Sequence, residues 1–204
     1  MLGGLLWALF PLATVFVGME GAQPRTMAHI GAAAVYWLMA VLPLALLLVG
    51  LAGLRRALHG EAYGRLGNVG FLVSFPALAL MFLGNATEVA SLTFAGTESG
   101  VGHALFLIGF LALLVGSVFL GLALVRMRRD PSSSWRVGGL VLVGALPLGI
   151  LLSVVLGAIA PGTDLGFWAA ITVPYGAAWL PLGHALLVSS ARGTPSDEQP
   201  SHVR

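Results

Sequence analysis

Cysteine and lysine are both absent from the 204 residues. Without cysteine the chain has no disulfide, no thiolate nucleophile and no cysteine-ligated metal. Without lysine it has no Schiff-base chemistry and no lysine to hold a phosphate. Charge of either sign is scarce: Asp, Glu and Arg fill 9% of positions while hydrophobic residues fill 58%. A soluble domain carries charge at about a quarter of its positions, so its water-facing surface cannot be built from this composition. Lipid is the expected solvent. Also missing are a nucleophile elbow, a phosphate-binding loop, a dinucleotide fingerprint and the HExxH of zinc proteases. The uninterrupted Leu, Val, Ala and Gly runs lack the alternation of barrel strands, which leaves helices as the only way to pair every backbone group in lipid.

What is present is a set of six stretches without Asp, Glu or Arg: 1 to 19, 26 to 54, 66 to 87, 99 to 125, 137 to 163 and 165 to 191. About 20 helical residues cross a hydrocarbon core of roughly 30 Å. The fold class expected is therefore an all-α polytopic membrane bundle. Its transmembrane domain covers residues 1-191, with spans at 2-19, 28-54, 66-86, 101-125, 137-160 and 165-190. The first run lacks a basic leader and a small-x-small cleavage site after Gly18-Met19-Glu20, which predicts that it is retained as a membrane helix. Residues 192-204, polar with two prolines, read as a disordered tail.

Arginine orients these spans. Arg55, Arg56, Arg65, Arg126, Arg128, Arg129, Arg136, Arg192 and Arg204 fall in the second and fourth loops and the tail, leaving Arg25 alone on the other side. The positive-inside bias places both termini in the cytoplasm of an inner, or cell, membrane, with Glu20, Glu88, Glu98 and Asp164 outside. Orientation also accounts for the net charge of +2, so no nucleic-acid partner is expected.

At an offset of 71, Gly50, Leu51, Ala52, Arg55, Arg65, Gly67 and Pro76 match Gly121, Leu122, Ala123, Arg126, Arg136, Gly138 and Pro147. The spacing predicts a tandem helical-hairpin repeat, with Pro11, Pro76 and Pro147 kinking the three outward-running helices. Ala145, Gly149, Ser153 and Gly157 form a small-residue ladder of the kind that brings membrane helices close, either inside the bundle or against a second copy or another membrane protein. Trp135 and Trp168 sit where interface anchors are expected.

Ionisable groups at membrane depth are the natural place for chemistry. His29 and His103 share one depth with Glu88, Glu98 and Asn85, and these five are the candidate site residues for binding a metal or relaying protons. Segment 84 to 100 reads as either a surface loop or a re-entrant segment; in the second case Glu88 lines an outward cavity. His184 lies at the opposite depth, so a bis-histidine haem would need His29 with His103. Spacing matches no compact ligand motif, so no cofactor is predicted and no catalytic residue is assigned.

The Arg-Gly loops and the closing Ala-Trp-Leu-Pro-Leu-Gly-His-Ala-Leu-Leu, 178 to 187, resemble those of small multi-pass integral membrane proteins of bacteria that carry no assigned activity. The resemblance runs over most of the chain and implies neither an activity nor site residues. The leading expectation is a non-enzymatic role in packing, sensing or assembly. A small-solute or ion transporter or channel using the outer polar cluster comes second, and a haem- or metal-dependent membrane enzyme third.

Overall fold

The computed structural model describes residues 1–16, 27–58, 64–127 and 133–192, which are helical apart from short turns and include no strand. The elements are α1 (Leu2–Phe16), α2 (Met27–Tyr36), a π turn (Trp37–Val41), α3 (Leu42–Ala57), α4 (Gly64–Ala95), α5 (Gly100–Arg126), α6 (Ser133–Val143), α7 (Ala145–Ile159) and α8 (Leu165–Arg192). Four helical stretches are long and apolar enough to cross a bilayer: His29–Ala57, Gly64–Ala95, Gly100–Arg126 and Leu165–Ser189. The pair α6 and α7, bent by 63° at Gly144, makes a fifth if it is one broken crossing. These lengths and compositions define a membrane-embedded helical bundle. Helix α1 is apolar but has only 15 residues, fewer than the roughly 20 a full crossing takes.

Residues 17–19 of the expected first span lie outside the described residues. So do Glu20, Arg25, the turns around His59-Gly60-Glu61 and Asp130-Pro131, and the tail from 193 to 204.

Neighbours in sequence are neighbours in space. Helix α1 packs on α3, α3 on α4, α4 on α5, α5 on α6, and both α6 and α7 on α8, which closes the ring against α1. Inside it lies one core that includes Trp7, Leu44, Leu51, Leu78, Leu120 and Trp179. Trp135 belongs to this core as well, and Trp168 packs against it, so neither is a free interface anchor. With little hydrophobic drive between helices in lipid, close backbone approach supplies much of the association energy. The seam of α4 and α5 shows how close: a Cβ on Gly84 would stand 2.5 Å from Phe106 N, and one on Gly109 2.6 Å from the Ala77 carbonyl.

Proline does different things in different places. Pro76 lies inside an unbroken α4, and Pro174 and Pro181 inside an unbroken α8. Pro147 follows the bend. It has no N–H for the Val143 carbonyl four residues back, and Gly144 between them takes φ −81°, ψ 0° while still bonding Leu140 and Leu148 on either side. Pro43 follows the π turn, where Leu42 N reaches back five residues to the Trp37 carbonyl.

Segment 84 to 100 is neither of the two forms expected for it. Helix α4 runs on to Ala95, and the turn to α5 takes only Gly96 to Ser99. The hydroxyls that look like loop residues in the sequence are satisfied within the helix, Thr87 donating to the Leu83 carbonyl at 2.8 Å and Thr93 to the Val89 carbonyl at 2.6 Å. Gly96 ends it at φ +70°, its N–H bonding the Ser91 and Leu92 carbonyls, the left-handed glycine cap of helix C-termini.

Candidate functional site

The five candidate residues collect at one end of the bundle, around the α4–α5 turn, and three of them, Asn85, Glu88 and His29, are engaged in holding helices together. Asn85 is buried and donates from Nδ2 to the Ala40 carbonyl at 3.1 Å. That carbonyl lies in the π turn, where the ordinary ladder is interrupted and a carbonyl needs an outside donor. Glu88, half-buried one turn on, accepts from Ser99 N at 3.1 Å through Oε2, and Ser99 Oγ accepts from Gly102 N at 3.1 Å. Together they reproduce a capping box for α5, except that the carboxylate comes from the neighbouring helix. A Cβ on Gly102 would meet Glu88 Oε2 at 3.0 Å, so glycine there is what lets the carboxylate reach the cap.

His29 is 2% exposed, and its Nε2 stands 3.2 Å from the Thr93 carbonyl, tying the start of α2 to the end of α4. Glu98 and His103 are exposed, close enough for their charges to act on Glu88. Among the described residues no three of His, Asp and Glu converge as a metal-binding group. His184 sits at the other end of the bundle, where Nδ1 lies 3.3 Å from Ser134 Oγ of α6.

The ladder Ala145, Gly149, Ser153 and Gly157 turns toward α8. A Cβ on Gly149 would stand 2.5 Å from the Ala170 carbonyl, and one on Gly166 of α8 would meet the Ser153 carbonyl at 2.8 Å. Ala170 is four residues before Pro174, so its carbonyl has no helical N–H, and α7 approaches that oxygen directly.

Sequence reasoning missed a cleft. Because the bend turns α7 away from α5 while α6 stays between α5 and α8, a wedge opens between α5 and α7 with α8 as its floor. Its volume is about 430 Å³. The lips, among them Leu111, Ile150 and Val154, face outward, and Phe110 and Phe167 present aromatic rings. Ala145 and Tyr175 line it as well. Tyr175 is 4% exposed, its hydroxyl enclosed in the core beside the indole of Trp179, ring centroids 6.4 Å apart. One signal in the sequence pointed here: glycine three residues before Pro147.

No protein-family model matches the chain, and neither a curated protein nor a solved structure is significantly similar to it.

Proposed function

We propose that the chain is a six-crossing protein of the bacterial inner membrane, with both termini in the cytoplasm. Its role is non-enzymatic, in sensing or assembly, exercised by receiving a bilayer-resident component in the lateral wedge between α5 and α7. The observation that carries the reading is the wedge itself. It is a cavity of about 430 Å³ that opens sideways between outward-facing residues of two helices, toward the lipid rather than toward either end of the bundle.

The six crossings are the four long helices, the bent α6–α7 pair and α1, whose charge-free run extends to Met19. The arginine distribution supports the orientation. The offset of 71 that pairs Arg55, Arg65 and Pro76 with Arg126, Arg136 and Pro147 supports duplication of a helical hairpin as the origin of the ring. A second reading, a small transporter, is favoured by one feature: discontinuous membrane helices are a recurring device of transporters, and α6–α7 is one.

The test of the main reading is organic extraction and mass spectrometry of the protein purified from native membranes. A stoichiometric hydrophobic component is expected with the unaltered chain and is lost from Ile150→Trp, whose added bulk fills the lip. Equal retention by both proteins would contradict it.

A further inference from the structure

Helices α3 and α8 both end on the arginine side of the bundle, and they touch where a Cβ on Gly50 would stand 3.2 Å from the Trp179 ring. Beyond that contact their last turns flank a groove of about 760 Å³. Met1 lines it as well, its N standing 2.6 Å from where a Cβ on Gly183 would lie. The lining is of two kinds: Gly53, Ala57, Leu186 and Leu187 make it apolar, and Arg56 makes it cationic.

Arginines at helix ends are accounted for by orientation, but Arg55 and Arg56 are not disposed alike. Arg55 lies over the Phe71 ring of α4, its Cζ 4.4 Å from the centroid. Arg56, the next residue, is exposed and lines the groove instead. The acids among the described residues, Glu88, Glu98 and Asp164, all lie at the opposite end of the bundle. A guanidinium keeps its charge at any physiological pH, so the complement of this groove is an anion.

Shape and depth choose the anion. Gly53 and Gly183 lie about one helical turn deeper than Arg56 and Leu187, so the apolar floor runs from the charge toward the middle of the membrane. A small soluble anion would satisfy Arg56 and leave that floor bare. A phospholipid covers both: its phosphodiester suits the planar guanidinium fork, and the start of an acyl chain suits Gly53 and Leu186. Arg56 stands in the last turn of a helix that crosses the bilayer, at headgroup depth, and basic pockets between membrane helices are a recurring place for lipid headgroups. With no carboxylate among the described lining residues, the groove offers nothing to the ammonium of a zwitterionic headgroup.

We propose that the groove between the ends of α3 and α8 is a binding site for an anionic phospholipid, whose phosphodiester pairs with the Arg56 guanidinium and whose chain lies on the apolar floor. The site is separate from the wedge between α5 and α7 and stands whether or not the wedge holds a ligand.

Native mass spectrometry of the protein in a neutral detergent, titrated with dioleoyl phosphatidylglycerol, tests it. One lipid is expected to bind saturably to the unaltered protein, and Arg56→Gln is expected to need about tenfold more, the size of one charged hydrogen bond. Arg136→Gln removes the same charge from the same end of the bundle, at an exposed position outside the groove, and is expected to leave the first binding step unchanged. Ala57→Trp, which fills the floor and keeps the charge, is expected to lose that step, whereas Ile150→Trp at the wedge keeps it. Dioleoyl phosphatidylcholine is expected to bind about tenfold more weakly, and inorganic phosphate in large excess is expected not to compete. Equal weakening by Arg56→Gln and Arg136→Gln would reduce the effect to general surface charge and overturn the proposal. Displacement of the lipid by inorganic phosphate, or equal affinity for the two lipids, would overturn it as well. The two arginine variants decide the matter even if Ala57→Trp does not fold.

Discussion

The α4–α5 hairpin and the α6–α7 pair carry prolines at matching positions, Pro76 and Pro147, yet the helix runs unbroken through the first while the second is bent by 63° and open. Each proline removes one helical hydrogen bond, so the proline alone does not decide the outcome. The surroundings do. Along α4, Gly70 and Gly84 meet the backbone of α5, and Gly109 and Gly116 of α5 meet α4 in return, so a kink at Pro76 would separate four close approaches at once. The bend before Pro147 has no such clasp to α5: α7 makes its close approaches to α8 and leaves α5, and Gly144 gives the chain a place to turn. Packing across a seam, rather than the breaker within it, sets whether a membrane helix runs on unbroken.

Removing the clasp is the severest way to break this comparison. Gly84→Ala forces a Cβ to within 2.5 Å of Phe106 N and is expected to destabilise the protein by about 1–3 kcal/mol. Gly53→Ala, whose Cβ meets nothing within 4 Å, is expected to be neutral or stabilising by up to about 1 kcal/mol. Thermal unfolding of the two variants in detergent measures the contrast, and equal melting temperatures would deny the clasp any role.

Next comes the polar fastening at the end of the unbroken hairpin. Asn85→Leu strands the Ala40 carbonyl, with an expected loss of about 1–3 kcal/mol. Asn85→Ala should fare no better, since it supplies no donor to that carbonyl either; full stability of the Ala variant would show that the bond is unimportant. Glu88→Ala removes the carboxylate half of the capping box of α5, a loss of about 1 kcal/mol, whereas Glu88→Gln keeps an acceptor oxygen and is expected to lose less than half of that. If the two Glu88 variants melt together, charge rather than the cap is what matters at this position.

The mildest change in stability should come from the bent pair. Pro147→Ala restores a donor for the Val143 carbonyl, and because α8 holds both halves in place the bend is expected to persist at almost no thermal cost. Spin labels at Ser134 and Thr163 are expected to keep their separation, whereas straightening two helical rods from 63° would move them apart by about 5 Å. An increase of that size would mean that the proline, not the packing, dictates the bend.

Much of the bundle was legible because charge is so costly in lipid that its absence marks helices directly. Runs 99 to 125 and 165 to 191 correspond closely to α5 and α8. The end of α4 was not legible. Asn85, Thr87, Glu88, Ser91 and Thr93 look like a loop by polarity, but their side chains bond helical carbonyls, the neighbouring cap or, for Ser91, the Thr97 carbonyl of the turn, and Gly96 rather than Gly84 is the terminator. Of the candidate site, the sequence placed Asn85, Glu88, His29, Glu98 and His103 at one end of the bundle. It could not say that the first three fasten helices, because those bonds depend on register between elements far apart in the chain. The wedge was invisible for the same reason: Gly144 and Pro147 announce a bend, but only the way α7 departs from α5 makes a cavity of it.

The central claim is that α6 and α7 together form one broken crossing with a sideways opening. The chain has no cysteine, so single cysteines placed at Ser134 and Thr163 can be labelled cleanly with a membrane-impermeant maleimide in intact cells and in inverted vesicles. A single crossing predicts that Thr163→Cys reacts only in intact cells and Ser134→Cys only in inverted vesicles; both positions reacting from the same side would make α6–α7 a re-entrant hairpin and contradict the account.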